Sequence, residues 1–457
     1  MDEKKPSRGA SRSASRGALP MMQLTLPLVI EQFLRILVSS IDTLMLSSYS
    51  EKAVAAVGMM GQYVFFLNTI FSVIGIGSSI VLSQYLGAKK SEDELNSIAK
   101  ASSAMMMIVS IFLAILVFAG TGPLLSRYSL EDEVRSFAKE YFLIFGGLGA
   151  FFNAFNILQA SILRSYGCTR ETMVVTIIAN LINVVGNALS LYGFFGLPIF
   201  GVQGVAMSSV ISMVVSCIVM NILIRRKKDI QFKLFGSGKT PGRFYKLILS
   251  VGVPTASESL SYNISQIVIM AMISTLGTYA MSSQVYTQTM CRFVFIFAMG
   301  IGSAVQIKTG YCVGAGQSDF IYRKVFKYGL IGTGCSLFMV LGMNLIKGPI
   351  IAMFTKQPEI VELVSVLLLL SIYLEFGRSL NLVFIGALKG SGDILFPVLY
   401  GIFSNWVIMV GGSYLLGLKL GLGVAGFWLG IATDETTRGI VMVFRWKSKR
   451  WMKKALV

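Results

Sequence analysis

Histidine is absent from the 457-residue chain. Its absence excludes catalytic triads with a histidine base, histidine metal sites and histidine proton relays. The five cysteines are scattered and form no CxxC motif, so neither a disulfide framework nor a thiolate metal site is expected. Any group that titrates inside this protein near neutral pH must therefore be a carboxylate.

Charge is also scarce, because 14% of the residues are charged whereas 54% are hydrophobic and the mean hydropathy is +0.71. This composition is typical of a polytopic membrane protein. Since one span requires about 20 mostly apolar residues, the sequence predicts twelve transmembrane helices. They are expected to begin near Met21, Ala56, Ala99, Ala138, Thr172, Gly204, Lys246, Gln284, Tyr328, Ile360, Leu395 and Gly423.

The net charge of +18 is concentrated in a few segments: the N-terminus, residues 225–246, the region of Arg323 and Lys327, and the C-terminus from Arg445. In a twelve-helix topology these segments all lie on one side, as the positive-inside rule requires, so both termini are predicted to be cytoplasmic. The membrane accounts for the basic charge, and no nucleic-acid partner is expected. Nucleotide binding is not expected either, because the GSGKT sequence in residues 225–246 has Lys233 where a P-loop needs its first glycine.

The two halves of the chain repeat each other. Residues 27–91 align with residues 254–318 at a fixed offset of 227, which pairs Pro27 with Pro254 and Glu31 with Glu258. At an offset of 225, LRSYGCTRET from Leu163 corresponds to LKGSGDILFP from Leu388. An even number of spans per repeat predicts an all-α membrane protein of two six-helix bundles, related by a pseudo-twofold axis along the membrane normal with a cavity between them.

These patterns divide the chain into five predicted segments. They are a basic, disordered cytoplasmic tail (1–20), an N-lobe bundle (21–224), a cytoplasmic linker (225–245), a C-lobe bundle (246–444) and a cytoplasmic C-terminal tail (445–457). A duplicated bundle of this kind is typical of transporters.

Asp42 lies inside the first predicted span, where a carboxylate costs about 2.5–3.5 kcal/mol even on lenient insertion scales, which indicates a functional ionisable site. In the fifth span Asn180, Asn183 and Asn187 share one helix face. Their amides together with the Asp42 carboxylate are predicted to form an oxygen-rich pocket for a hard cation such as sodium, and a desolvated carboxylate also binds a proton more readily. In the alternative interpretation the asparagines only hold helices together.

Several stretches resemble the multidrug and toxic compound extrusion (MATE) transporters: SIDTLMLSSYSEKAVAAVGM from Ser40, QYLGAKK from Gln84, and NLINVVGNALSLYGFFGLPIFGVQGVA from Asn180. LEFGRSLNLVFIGALKGSGD from Leu374 and TDETTRGIVMVFRWKSKRW from Thr433 resemble a bacterial branch of the family. The resemblance implies a twelve-helix antiporter of the bacterial inner membrane that exports organic, often cationic, compounds in exchange for protons or sodium.

The resemblance also implies that positions matching Asp42, Asn183, Asn187 and Ser208 form a cation site in the N-lobe. In the C-lobe the repeat places Ile269 opposite Asp42, so ion coupling is expected to be asymmetric. Glu31, Glu258 and Glu375 are candidate secondary carboxylates. Glu375 and Arg378 are predicted to form a structural ion pair, and Pro27 and Pro254 are predicted to bend their helices. Candidates for the cavity wall in the C-lobe are Gln284, Tyr286 and Gln288.

Three classes of function are open to a membrane protein of this kind. An intramembrane enzyme would need clustered histidines or paired aspartate motifs, and the sequence has neither, so the protein is not expected to be an enzyme. A flippase for lipid-linked saccharides has a similar two-bundle plan and would need several cavity arginines or lysines for a pyrophosphate. The leading prediction is a monomeric antiporter for small molecules that contacts membrane lipid and uses no cofactor beyond its coupling ion.

Overall fold

A computed structural model of the chain describes residues 20–128, 130–193, 196, 198–226 and 240–457. Most of the predicted tail and linker lies outside these residues. The described residues form long α-helices and no strand. The spans are α1 (Met21–Tyr49), α2 (Glu51–Gly87), α3 (Glu92–Leu125), α4 (Asp132–Leu148 with Ala150–Ser165), α5 (Thr169–Tyr192), α6 (Gly201–Arg226), α7 (Gly242–Ser274), α8 (Thr278–Gly314), α9 (Ser318–Leu345), α10 (Pro358–Ser391), α11 (Leu395–Lys419) and α12 (Gly423–Lys447).

Nine of these helices are long and apolar enough to cross a membrane on their own, and the two parts of α4, bent by 49°, form another such span. The helices α7 and α12 have comparable lengths but carry buried charged residues, among them Glu258 and Arg438. Together these are the twelve spans that the sequence predicted, so the predicted all-α class is confirmed.

Several helices begin earlier than their apolar runs. The α9 helix begins at Ser318 rather than near Tyr328, since it includes a polar, basic segment that precedes the apolar run. Ser91 caps α3, since its side chain accepts a hydrogen bond from the backbone N–H of Glu94, and three acidic residues follow in the first turn. Such caps satisfy backbone donors that the helix leaves unpaired, which extends helices beyond the hydrophobic segment that hydropathy detects.

The described chain divides into two compact units. The N-terminal unit comprises Ile30–Leu82 and the described residues of Lys90–Val253, and the C-terminal unit comprises Ser83–Lys89, Pro254–Val457 and the described residues up to Val29. The division therefore crosses α1 two residues after Pro27 and crosses α7 immediately before Pro254. Both prolines lie inside their helices, where each removes one backbone hydrogen bond.

The repeat is visible in the backbone at the ends of two corresponding helices. Gly167 follows α4 with φ of 76°, and Gly392 follows α10 with φ of 94°. Glycine adopts this left-handed conformation without the penalty that a β-carbon imposes, and it is the usual residue just past a helix end. The two glycines, which the offset of 225 pairs in the sequence, thus end equivalent helices in the same way.

The counterpart of Asp42 in the repeat lies in an apolar core. Ile269 is fully buried and belongs to a cluster in the C-terminal unit that also contains Leu367, Phe427 and Trp428. No carboxylate can be accommodated there without a partner. The C-terminal unit therefore has an apolar core at the position that matches Asp42, and asymmetric ion coupling stays a prediction.

Candidate ion and substrate sites

Asp42 on α1 meets the asparagine face of α5. The Asn187 side-chain amide donates a hydrogen bond to Asp42 Oδ1 over 2.8 Å, and the same nitrogen lies 3.5 Å from Asn183 Oδ1. The Asn183 amide in turn donates to Ser209 Oγ on α6 over 3.0 Å. These four side chains form one continuous polar line across three helices.

A cavity of about 290 Å³ within the N-terminal unit opens onto Asp42. Its polar wall includes Ser39, Thr43, Tyr141 and Ser209, and its remaining wall is apolar or glycine. Beside it, Asn187 is fully buried, and its side-chain oxygen has no hydrogen-bond partner among the described residues. A carboxylate with amide and hydroxyl oxygens suits a hard cation such as sodium, and the carboxylate can alternatively hold a proton.

Two predicted members of this site have no hydrogen bond to Asp42, Asn183 or Asn187 among the described residues. Asn180 lines a different cavity, and its side-chain nitrogen has no hydrogen-bond partner within the described part of the chain. Ser208 donates to the Gly204 carbonyl of its own helix over 2.8 Å. Ser209, which the sequence analysis missed, occupies the contact with Asn183. Two adjacent serines point in different directions from a helix, and sequence spacing alone did not distinguish them. Tyr141 was also missed, and no pattern in the sequence marks it.

The second cavity in the N-terminal unit has a volume of about 610 Å³, within the usual range for sites that bind small molecules. Amide and hydroxyl side chains line much of its wall, together with a charged cluster formed by Glu31, Arg35 and Arg164. The Arg164 guanidinium donates to Glu31 Oε1, and Arg35 Nη2 lies 3.5 Å from the same oxygen. The polar uncharged lining residues are Gln32, Asn68, Ser72, Asn153, Asn156, Ser161, Thr176, Asn180, Ser212 and Ser216.

The C-terminal unit contains an equivalent buried ion pair. Lys389 Nζ lies 2.7 Å from Glu258 Oε2, and each side chain is 9% exposed. Arg438 Nη1 is 3.7 Å from the other oxygen of Glu258, and Arg438 Nε is 3.2 Å from Asp434 Oδ2. The Ser404 hydroxyl donates to Asp434 Oδ1. Glu258 therefore has basic partners on both α10 and α12.

This cluster continues along α10 and α12. Glu435 lies 3.5 Å from Arg438 and 3.5 Å from Arg378, and it accepts a hydrogen bond from the Asn381 amide over 2.8 Å. Arg378 donates to Glu375 over 2.8 Å, which is the ion pair that the spacing of these two residues predicted. Carboxylates and basic groups thus alternate through the interior of the C-terminal unit, and this partnering is what makes their burial tolerable.

The ion pairs Glu31 with Arg164 and Glu258 with Lys389 correspond through the repeat. The two glutamates are 227 positions apart and the two basic residues are 225 apart, which are the offsets of the aligned segments. Each glutamate follows its helix proline by four residues. The repeat could have identified both pairs, because each half places one carboxylate after the proline and one basic residue before the left-handed glycine.

The predicted wall residues on α8 have other partners. Gln284 is buried, and its side-chain oxygen accepts a hydrogen bond from the Trp428 indole. The Tyr286 ring packs on Phe354 with ring centroids 5.5 Å apart, and Gln288 is half-buried. None of the three lines either of the cavities described above.

Twelve spans that enclose polar cavities and buried ionisable groups define the class of polytopic membrane transport proteins. Comparison with known proteins gives the family: the MatE family matches residues 27–189 and 254–415. The chain is 35% identical to the transporter YisQ of Bacillus subtilis over 95% of both chains. It is 25% identical to a probable multidrug resistance protein NorM of Thermotoga maritima, over 96% of this chain and 94% of that protein.

A solved structure of similar fold is an outward-facing multidrug resistance MATE family transporter. It superposes with a TM-score of 0.88 over 99% of this chain and 100% of the other, at 21% sequence identity. The protein therefore belongs to the MatE family of efflux transporters, in its bacterial branch. The resemblance seen in the sequence is confirmed.

The buried pair in the C-terminal unit yields a stability prediction. Replacing Lys389 by Met leaves the Glu258 carboxylate without its nearest cation, and breaking a buried pair in this way costs about 3–5 kcal/mol. We expect Lys389→Met to lower the unfolding temperature of the purified protein clearly in a thermal-shift measurement.

The double variant Glu258→Gln with Lys389→Met serves as the matched control, because it removes both charges. It is expected to recover most of the lost stability, since no unpaired charge remains at that position. Equal unfolding temperatures for wild type and Lys389→Met would show that the pair does not stabilise the unit.

Proposed function

We propose that the protein exports organic compounds in exchange for protons or sodium ions by alternating access, and that Asp42 is the coupling group. The observation that carries this proposal is the environment of Asp42: a half-buried carboxylate inside a span, bound to an amide, next to a cavity, and without an ion pair among the described residues. A permanently paired carboxylate would be a poor exchanger of ions, because releasing its partner costs several kcal/mol.

The proposed cycle follows from the charge of this carboxylate. Binding of a proton or sodium ion neutralises Asp42 and weakens its attraction for a cationic, amphiphilic substrate, which then leaves to the outside. Release of the ion to the cytoplasm restores the negative charge that attracts the next substrate. The membrane potential supplies about 2.3 kcal/mol per charge per 100 mV, and a proton gradient adds about 1.36 kcal/mol per pH unit.

The two cavities of the N-terminal unit suit different parts of this cycle. The cavity at Asp42, of about 290 Å³, has the oxygen donors for the ion. The cavity of about 610 Å³ has room and hydrogen-bonding groups for an organic substrate. Pro27 precedes Asp42 on α1 and lies next to the division between units, so we propose that α1 bends there when the ion binds.

A flippase for lipid-linked saccharides is the second candidate, and the larger cavity provides the observation that bears on it. Arg35 and Arg164 both line this cavity, as a site for pyrophosphate would require. Both, however, lie within ion-pair distance of the same oxygen of Glu31. One surplus positive charge supports recognition of a pyrophosphate less well than a free cluster of arginines would, so the antiporter remains the preferred function.

The first test is Asp42→Asn, which keeps the shape of the side chain and removes its charge. Because the amide cannot bind a proton or neutralise a cation, we expect normal expression and at least a tenfold loss of gradient-driven transport of a fluorescent cation into inverted vesicles. Sodium and proton gradients are imposed separately, so the gradient that drives the wild type identifies the ion.

Asp93→Asn is the matched control, since Asp93 is exposed in the first turn of α3 and should leave transport unchanged. Normal pumping by Asp42→Asn at normal expression would place coupling elsewhere. Transport of a lipid-linked saccharide, without transport of cations by the wild type, would favour the flippase.

We also propose that this multi-pass protein lies in the bacterial inner membrane as a monomer, with both termini in the cytoplasm and no enzymatic activity or bound cofactor. The distribution of basic residues supports this orientation. A reporter fused after Val457 and another inserted after Lys239 should both give cytoplasmic signals. A reporter inserted between Glu131 and Arg135 should give an external signal, and a reversed pattern would contradict the orientation.

A further inference from the structure

An apolar groove of about 460 Å³ lies on the surface of the C-terminal unit, between α9, α10 and α12. Its wall includes Leu330, Phe376, Leu380, Val443 and Phe444. Leu330 is 76% exposed and Phe444 is 64% exposed. The groove therefore presents an open apolar channel along spans of a membrane protein, with a volume in the range of small-ligand sites.

Basic side chains lie at one end of this groove. On α12, Lys447 follows Phe444 by three residues and continues the helix face of Ile440 and Val443. On α9, Lys327 and Arg323 precede Leu330 by three and seven residues on the same face, and Arg323 lies about 10 Å away along the axis. The Trp446 indole donates to the Tyr322 carbonyl over 3.2 Å, so the end of α12 and the start of α9 meet at this end.

The charges at this end are unbalanced. Arg323, Lys327 and Lys447 are exposed and form no ion pair with any residue that the structure describes. Two acidic residues near this end are paired with other basic residues: Asp393 with Arg445 over 2.7 Å, and Asp319 with Lys449 over 3.6 Å. An anionic group placed here would meet three uncompensated cations.

We propose that this groove binds one anionic phospholipid, with an acyl chain against Leu330, Leu380 and Val443 and with its phosphate on Arg323, Lys327 and Lys447. The two parts of the site match the two parts of such a lipid: an apolar channel parallel to the helices and a basic cluster where that channel ends. Basic groups next to membrane helices attract anionic head groups in this way. The site is separate from the proposed transport cavities, which belong to the N-terminal unit.

The test measures lipid binding to the purified full chain in detergent by native mass spectrometry. The probes are dioleoylphosphatidylglycerol, dioleoylphosphatidylcholine with the same chains, and glycerol 3-phosphate without chains. We expect one phosphatidylglycerol to bind the wild type at least tenfold more tightly than phosphatidylcholine. The variant with Arg323→Gln, Lys327→Gln and Lys447→Gln should lose on the order of a hundredfold in phosphatidylglycerol affinity, at about fivefold per charge removed.

Two variants test the groove while keeping the charges. Val443→Phe fills the channel, and Leu330→Gln places an amide in it at a position whose side chain is 76% exposed and therefore packs little against the rest of the unit. Both should weaken binding of both phospholipids. The control variant Lys89→Gln, Lys90→Gln and Arg226→Gln removes three exposed basic residues that do not line the groove and should bind like the wild type.

Other results would overturn the proposal. Equal loss in the control variant, or unchanged binding in Leu330→Gln, would mean that basic charge alone attracts the lipid. Tight binding of glycerol 3-phosphate would indicate a site for free phosphate compounds. Equal affinity for both phospholipids would show that the basic cluster does not select the head group.

Discussion

A charge inside an apolar helix bundle needs a partner, and this constraint organises the whole structure. Every buried carboxylate among the described residues lies within ion-pair distance of an arginine or lysine: Glu31, Glu258, Glu375, Asp393, Asp434 and Glu435. Asp42 differs, because it accepts a hydrogen bond from the neutral amide of Asn187 and forms no ion pair with any described residue. The paired carboxylates hold helices in place, whereas the lack of a basic partner is what makes Asp42 the group proposed to bind the ion.

The repeat shows which parts of the bundle are structural. Both units keep a carboxylate four residues after a helix proline, and each is paired with a basic residue near the end of a later helix. The aspartate at position 42 has no counterpart in the other half, since Ile269 stands at the matching position and lies in an apolar core. Duplication therefore supplied two similar frameworks, and the polar line from Asp42 to Ser209 belongs to one of them.

Much of this structure could be predicted from the sequence. Hydropathy and the repeat predicted the twelve spans, and the spacing of Asn183 and Asn187 predicted a shared face that does meet Asp42. Spacing did not reveal that Asn180 lines another cavity or that Ser209 rather than Ser208 contacts Asn183, because both depend on how neighbouring helices are rotated. The pairing of Glu258 with Lys389 was missed for a related reason: a contact between distant helices leaves no local pattern, although the repeat could have indicated it.

In the proposed cycle, the Asp42 carboxylate binds the ion and attracts the substrate at different times. The most direct measurement is the affinity of the purified wild-type protein for a fluorescent cationic substrate, titrated at a series of sodium concentrations and, separately, of pH values. If Asp42 couples the two, substrate affinity falls as sodium or protons saturate the carboxylate, and adding substrate displaces the ion. Substrate affinity that is independent of both sodium and pH would contradict coupling at Asp42.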